Sequence, residues 1–238
     1  MSGSPTLAAL ATIPSRAQFL RPVLESLRTQ VDRLHVYLNG HDHVPKVVEE
    51  LADEHVLDGQ NRGAEKKFHW TDRWDGIYLT CDDDFRYVGQ PAYVETMVAA
   101  VERFDGRAIV TAHGRVYQGN PKNVHAHAPG TRGIIHHPVK QSCFVNHGGT
   151  GVMAFDTRVV RPPATFPEQN MADMQLAVWA QLERVAMWLV KHKARWLDSL
   201  ATLDPNGLFR RSQAENHERR NRVLRAHGAK HGWTLYTL

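Results

Sequence analysis

The sequence predicts an α/β fold: a mostly parallel, Rossmann-like sheet with flanking helices and a smaller, irregular second half. Three observations carry this. Short apolar runs alternate with helix-period segments through the first half of the chain, the pattern of a sheet built by crossover connections. Those runs are apolar enough to read as buried strands. Polar residues that suit ligand chemistry fall where the runs end, and open α/β sheets bind ligands at the carboxyl ends of their strands.

Taken in order, Leu7 to Ala11 is the first strand, and Thr12-Ile13-Pro14-Ser15-Arg16 breaks it. Ser15 is placed to cap a helix to about Gln30, whose Leu20, Val23, Leu24 and Leu27 share a face while Pro22 disturbs its first turn. Leu34 to Leu38 is a second strand stopped by Asn39-Gly40, Pro45 opens a short helix to about Glu54, and Val56-Leu57 is a brief strand. Ala64 to Trp70 reads as helix, and Gly76 to Cys81 as a strong central strand running into Asp82-Asp83-Asp84. A helix from Pro91 to about Phe104 and a strand at Ala108 to Thr111 follow.

The second half is less regular. Val116 to Val139, rich in Gly, Pro and His, reads as a long loop. Strands are expected at Ser142 to Val145, Gly151 to Phe155 and Ala186 to Val190, an amphipathic helix at Met171 to Arg184, and a polar, basic helix at Ser212 to His227. With no repeat and no low-complexity linker, one domain is expected, with a regular α/β half at about 6–115 and a less regular half with the C-terminal helix at about 116–238.

Composition excludes several classes. The 238 residues are long enough to bury a core, and 42% hydrophobic with 23% charged residues is globular rather than disordered. A formal charge of +4 suits nucleotide phosphates but is too weak to argue for nucleic acid. Two cysteines, Cys81 and Cys143, make no disulfide framework. No signal peptide and no stretch of membrane-spanning length is seen, so a cytoplasmic protein is expected, with peripheral membrane contact open through the basic last helix. The oligomeric state is not legible.

Three consecutive acids at the end of an apolar strand repel one another. A divalent cation removes the conflict, and carboxylate oxygens suit Mg2+ or Mn2+ bridged to substrate phosphates. If the extended backbone persists, Asp82 and Asp84 share one side and Asp83 takes the other. One of that pair can then hold the metal while its neighbour meets a ribose.

Thr12-Ile13-Pro14-Ser15-Arg16, Gln30-Val31-Asp32, Val36-Tyr37-Leu38-Asn39, Lys67-Phe68 and Thr80-Cys81-Asp82-Asp83-Asp84 followed by Tyr87 resemble, in order and spacing, the GT-A-fold glycosyltransferases. They look most like the inverting, family-2-like enzymes of bacterial capsule and glycan synthesis, over roughly residues 6–200. The resemblance implies a transferase that moves a sugar from a nucleotide-sugar, a UDP-sugar favoured, to a glycan, lipid-linked or protein hydroxyl. It makes Asp84 a ligand of Mn2+ or Mg2+ and puts Asp82 and Asp83 on the nucleotide-sugar with Thr12, Pro14, Arg16, Asn39, Lys67 and Gly149.

Several of these residues read two ways. Arg16 is a phosphate contact or a helix-start charge, and Asn39 a base or ribose contact or plain Asn-Gly turn chemistry. Lys67 neutralises donor phosphate, or faces solvent, as one of two adjacent lysines on a helix usually does. His147 to Gly151 borders the sugar and acceptor, or is a hairpin turn. Asp173, after a natural cap at Asn170, suits a helix N-terminus; the resemblance makes it the base that deprotonates the acceptor. His192 or His217 would supply a third metal ligand, and Arg210 and Arg211 would close over the diphosphate. His125, His127, His136 and His137 match no zinc pattern.

Two other classes compete. A nucleotidyltransferase acting on sugar phosphates would carry a Gly-rich basic loop after the first strand, which Thr12 to Arg16 lacks. A non-catalytic glycan-binding module would use Trp70, Trp74, Trp179, Trp188, Trp196 and Trp233 as a stacking surface, and would not need the acid cluster.

Overall fold

The computed structural model describes residues 3–127, 137–200 and 213–238, with side chains in the last segment from 217 onward. In chain order the principal elements are β1 (Thr6–Thr12), α1 (Ala17–Arg28), β2 (Arg33–Asn39), α2 (Lys46–Leu51), β3 (Glu54–Asp58), β4 (Ile77–Cys81), β5 (Phe85–Arg86), α3 (Tyr93–Glu102) and β6 (Ala108–Thr111). Then come β7 (Gly114–Arg115), β8 (Cys143–Val145), β9 (His147–Gly148), β10 (Val152–Asp156), α4 (Ala172–Leu182), β11 (Ala186–Leu189), β12 (Asp198–Ser199) and α5 (Gln213–His231).

Eight strands form one mixed, mostly parallel sheet in the order β3-β2-β1-β4-β10-β6-β11-β8. The four strands from β3 to β4 are mutually parallel, so β1, β2 and β4 all end at one edge. The alternation of side chains along β1 serves two cores. Ala8 and Leu10 face the apolar stripes of α1, α2 and α3, while Leu7 and Ala9 face Phe68, Trp70 and Leu176 of α4. On α1 the stripe is Phe19, Leu20, Val23, Leu24 and Leu27, all buried at helical spacing. A third cluster, Tyr117, Val124, Met171, Met174, Ala177, Leu224 and Trp233, fastens α5 to α4.

The directions of two strands go beyond the mostly parallel expectation, and three local expectations are corrected. Strands β10 and β8 run antiparallel to their neighbours. Because β10 starts opposite the end of β4, with Val152 beside Cys81, the Gly-rich turn before it arrives at the edge where β1, β2 and β4 end. Residues Ala64–Phe68 form a 3-10 turn rather than an α-helix, as do Pro14–Arg16. Ser15 makes no side-chain cap of α1, whose cap position is Arg16, and Pro22 lies inside the helix. Asn170 does not cap α4 either: Met171 is the cap residue, and Asn170 takes a left-handed φ of 59°. No helix among the described residues is long and apolar enough to cross a membrane.

The start of β4 depends on a glycine. Gly76 has φ 151°, and a Cβ there would lie 2.5 Å from the Pro5 carbonyl oxygen, which accepts the Ile77 N–H. Gly76→Ala is therefore expected to destabilise the fold by roughly 2–4 kcal/mol. An unchanged urea midpoint would refute that account of how β1 and β4 begin to pair.

Candidate active site

β4 is buried along its whole length and stops at Cys81, so Asp82 to Asp84 turn instead of continuing the strand. Tyr87 folds back under this turn. Its buried Oη accepts the Asp82 N–H at 2.7 Å and donates to the Gly151 carbonyl at 2.7 Å. The acid turn and the turn before β10 are thus tied by one hydroxyl.

The alternation expected of the three acids fails because the strand has already ended. Arg16 Nη1 contacts Asp83 Oδ1 at 2.5 Å and Asp84 Oδ2 at 3.3 Å, while Asp82 Oδ1 pairs with Lys67 Nζ. Asp83 and Asp84 therefore share a cation, and Asp82 has its own. Both cations come from 3-10 turns at the carboxyl edge, and Lys67 is only 2% exposed. Its backbone is held by Tyr78 Oη, which donates to the Lys67 carbonyl at 2.6 Å.

Burial and charge set the protonation of this group. Burial opposes the Arg16 charge, but Asp83, Asp84 and Asp82 outweigh it and raise its pKa. Lys67 is likewise penalised by burial and held protonated by Asp82. Burial raises Asp83 against the pull of Arg16. Asp84 is pushed up to about 7, first by burial and then by the Asp82 charge, which Arg16 offsets only in part.

Thr12 is buried at the end of β1, and exposed Pro14 opens the turn that carries Arg16. Asn39 is spent on the neighbouring loop: its Nδ2 donates to the Gly63 carbonyl at 3.0 Å and its Oδ1 accepts the Arg62 N–H at 3.1 Å. That loop is also joined to the segment before α4. Asn170 accepts the Ala64 N–H at 3.2 Å and gives its own N–H to the buried Glu65 carboxylate at 2.9 Å.

In the Gly-rich turn, the Gly149 N–H donates to the His113 carbonyl at 2.7 Å. Gly151 is the more constrained glycine, since a Cβ there would fall inside the Asp82 carboxylate. Between them Thr150 gives both its N–H and its Oγ1–H to Asp173 Oδ1, at 2.9 and 2.6 Å. Burial would raise the Asp173 carboxyl, but His147, Arg220 and the two Thr150 donors outweigh it and hold it down to about 2. The Asp173 charge reaches Lys67 as well, so the two acid sites belong to one constellation. His147, 6% exposed, is pushed down to about 3 by burial, and its Nδ1 has no hydrogen-bond partner among the described residues.

His192 lies elsewhere in the hydrogen-bond network. Its two ring nitrogens face the carbonyls of Lys193 at 2.9 Å and Ala112 at 3.0 Å, and the ring stacks on Trp196. His217 lies edge-on to His125, with ring centroids 5.2 Å apart. Among the described residues no group of three or more His, Cys, Asp or Glu converges as a cage for a metal ion. The donors that fit a hard cation are the Asp82 and Asp84 carboxylates, two oxygen ligands of the kind Mg2+ combines with substrate phosphates. Arg210, Arg211 and His136 lie outside the described residues. Of the six tryptophans, Trp70, Trp196 and Trp233 are core, which leaves no six-membered stacking surface.

Sequence reasoning missed Thr150, Gly151 and Arg220. The first two sit inside the Gly-rich segment it did single out. Arg220 lay in a helix whose polarity reads as solvated.

No protein-family description matches the chain, and no curated protein does. Among solved structures it is similar to A197 from STIV, at TM-score 0.42 and 14% identity over 82% of this chain and 84% of that one. It is also similar to mannose-1-phosphate geranyltransferase from Thermus thermophilus, at TM-score 0.34 and 13% identity over 96% of this chain and 68% of that one. Likenesses of this size leave the functional reading to the site itself.

The raised Asp84 carboxyl carries a stability signature. Its folded pKa exceeds the ordinary value, so stability is lost as pH rises from about 4 through about 7, where the unfolded chain ionises first. Asp84→Asn removes that loss. The substituted protein is expected to match the parent in Tm near pH 4 and to exceed it by a few degrees, roughly 1–3 kcal/mol, at pH 8. A Tm difference that does not grow with pH would contradict the assignment.

Proposed function

We propose that this chain is a divalent-cation-dependent glycosyltransferase that moves a sugar from a nucleotide-sugar, a UDP-sugar favoured, to a hydroxyl acceptor with inversion. The observation that supports this most is the meeting of two differently tuned acid sites at one sheet edge. The Asp82 to Asp84 turn is short of positive charge, and across Lys67 stands Asp173, an ionised carboxylate.

On this reading Thr12, Pro14, Arg16, Asn39, Lys67, Asp82, Asp83 and Gly149 make up the nucleotide-sugar side. Asp84 and Asp82 would hold Mn2+ or Mg2+, which when bound supplies charge neutralisation for the departing diphosphate. Arg16 and Lys67 keep the three carboxylates together and add positive charge where phosphate sits. Asp173 accepts a hydrogen bond from the acceptor hydroxyl and orients its oxygen toward the anomeric carbon. As the new C–O bond forms, the bond from the anomeric carbon to the phosphate oxygen breaks. The nucleoside diphosphate leaves with that electron pair, and the acceptor proton passes to Asp173.

Thermal unfolding with UDP, GDP, ADP, CMP and dTDP, each with and without Mn2+, tests the reading. UDP is expected to raise Tm only with Mn2+, and Asp84→Ala to abolish the shift in protein that remains folded. Asp173→Asn is expected to keep the shift and to lower release of nucleoside diphosphate from the sugar donor by at least about 100-fold. Folded protein that responds to none of the nucleotides is not a nucleotide-sugar enzyme.

A further inference from the structure

The charges at this edge are split. Among the described residues, three carboxylates of the Asp82 to Asp84 turn face two cations, Arg16 and Lys67. Around Asp173 the balance is reversed. Arg115 lies opposite His147 in the β7–β9 pair, directly beside the turn that carries Thr150. Arg220 comes from α5. Leu224, fully buried against Tyr117, Met171 and Met174, fixes the inward face of that helix, and Arg220 is one turn earlier on the same face. Next to it, Asn221 is anchored by the Val124 N–H at 2.9 Å. The Arg220 charge is felt by Asp173, His147 and Tyr117.

Neither arginine is in an ion pair with a described residue. Arg220 makes no hydrogen bond or ion pair with any described residue, whereas its neighbours Arg219 and Arg222 both pair with Glu168. Arg115 has no carboxylate partner among the described residues. Its Nη1 donates to the Val124 carbonyl at 3.2 Å, and its buried Nε has no partner. His147 Nδ1 is unpartnered beside them and stays neutral, so it supplies a polar atom without adding to the charge. Among the described residues, one carboxylate with two guanidinium groups leaves a positive excess in a half-buried place, which an anion would relieve.

The geometry points to an acceptor that carries its own negative charge: a hydroxyl-bearing sugar with a carboxylate or phosphate group, held by Arg220 and Arg115 beside Asp173. This rests on the transferase reading for the word acceptor, but the anion site stands on the arginines alone. Guanidinium pairs with either group through two parallel N–H donors, so both chemistries belong to one proposal.

The test is thermal unfolding of the full chain with D-glucuronate, glucose 6-phosphate and uncharged glucose, at ionic strength matched with sodium chloride, each with and without UDP and Mn2+. At least one of the two charged sugars is expected to raise Tm, and the arm that does so names the group; glucose and salt are expected not to. Arg220→Gln is expected to lose that shift, Arg220→Lys to keep part of it, and Arg115→Gln to reduce it, with circular dichroism unchanged. The UDP and Mn2+ shift is expected to survive in Arg220→Gln and to add to that of the charged sugar. Equal shifts from glucose, or none from either charged sugar, would overturn the proposal. So would competition between the charged sugar and UDP together with loss of the UDP shift in Arg220→Gln, which would assign Arg220 to the diphosphate. A charged-sugar shift that depends on Arg220 in protein that ignores every nucleotide would keep the anion site and remove the transferase reading.

Discussion

Three carboxylates at the end of a buried strand cannot stand together unless something opposes their repulsion, and this edge of the molecule is arranged around that constraint. Arg16 and Lys67 oppose it, each delivered by a 3-10 turn at the carboxyl edge. Removing the cation of such a buried pair costs about 3–5 kcal/mol, because the carboxylate charge is left uncompensated. The pairs therefore hold position more than they add stability. Tyr87 beneath the turn and Gly151 beside it complete the arrangement, one by bonding the backbone and the other by leaving room for the Asp82 carboxylate.

Among the described residues the opposition is incomplete by one charge, and a different element reverses the balance across the edge. The antiparallel entry of β10 brings Thr150 to Asp173, and α5 adds Arg220 from the far end of the chain. The result is a bipolar edge, short of a cation on one side and of an anion on the other. A fold optimised only for stability would cancel these charges internally. Residues that break such local rules are where function is expected to reside.

Strands and helices were largely legible because they rest on local periodicity: the apolar run through Leu79 and Cys81 and the α1 stripe through Leu24 and Leu27 need only near neighbours. The acid turn was legible as chemistry but not as geometry, since nothing local states that the strand ends at Cys81 and that Asp83 and Asp84 then share one arginine. The direction of β10, the Asn170 bonds to Ala64 and Glu65, and the approach of Arg220 to Asp173 depend on chain segments about 50 to 100 residues apart. His192 shows the converse. A histidine after a strand has the right residue type for a metal ligand, but the fold sets its ring between two backbone carbonyls.

The depressed Asp173 carboxyl constrains how a proton would move on the proposed reading. A carboxylate held below its ordinary range by Arg220 and the Thr150 donors is a weak base toward a neutral hydroxyl, and early proton removal would be uphill. The acceptor oxygen becomes strongly acidic only once it has begun to bond the anomeric carbon, because its lone pair is then drawn away. A weak carboxylate suffices at that stage. Being ionised at every ordinary pH, it is ready without a prior deprotonation. The Thr150 donors that lower its basicity also fix its orientation, and orientation of the nucleophile is worth more than basicity when bond formation leads proton transfer. The ionised Asp173 also keeps a negative charge opposite Arg220, so among the described residues the positive excess there is one unit rather than two.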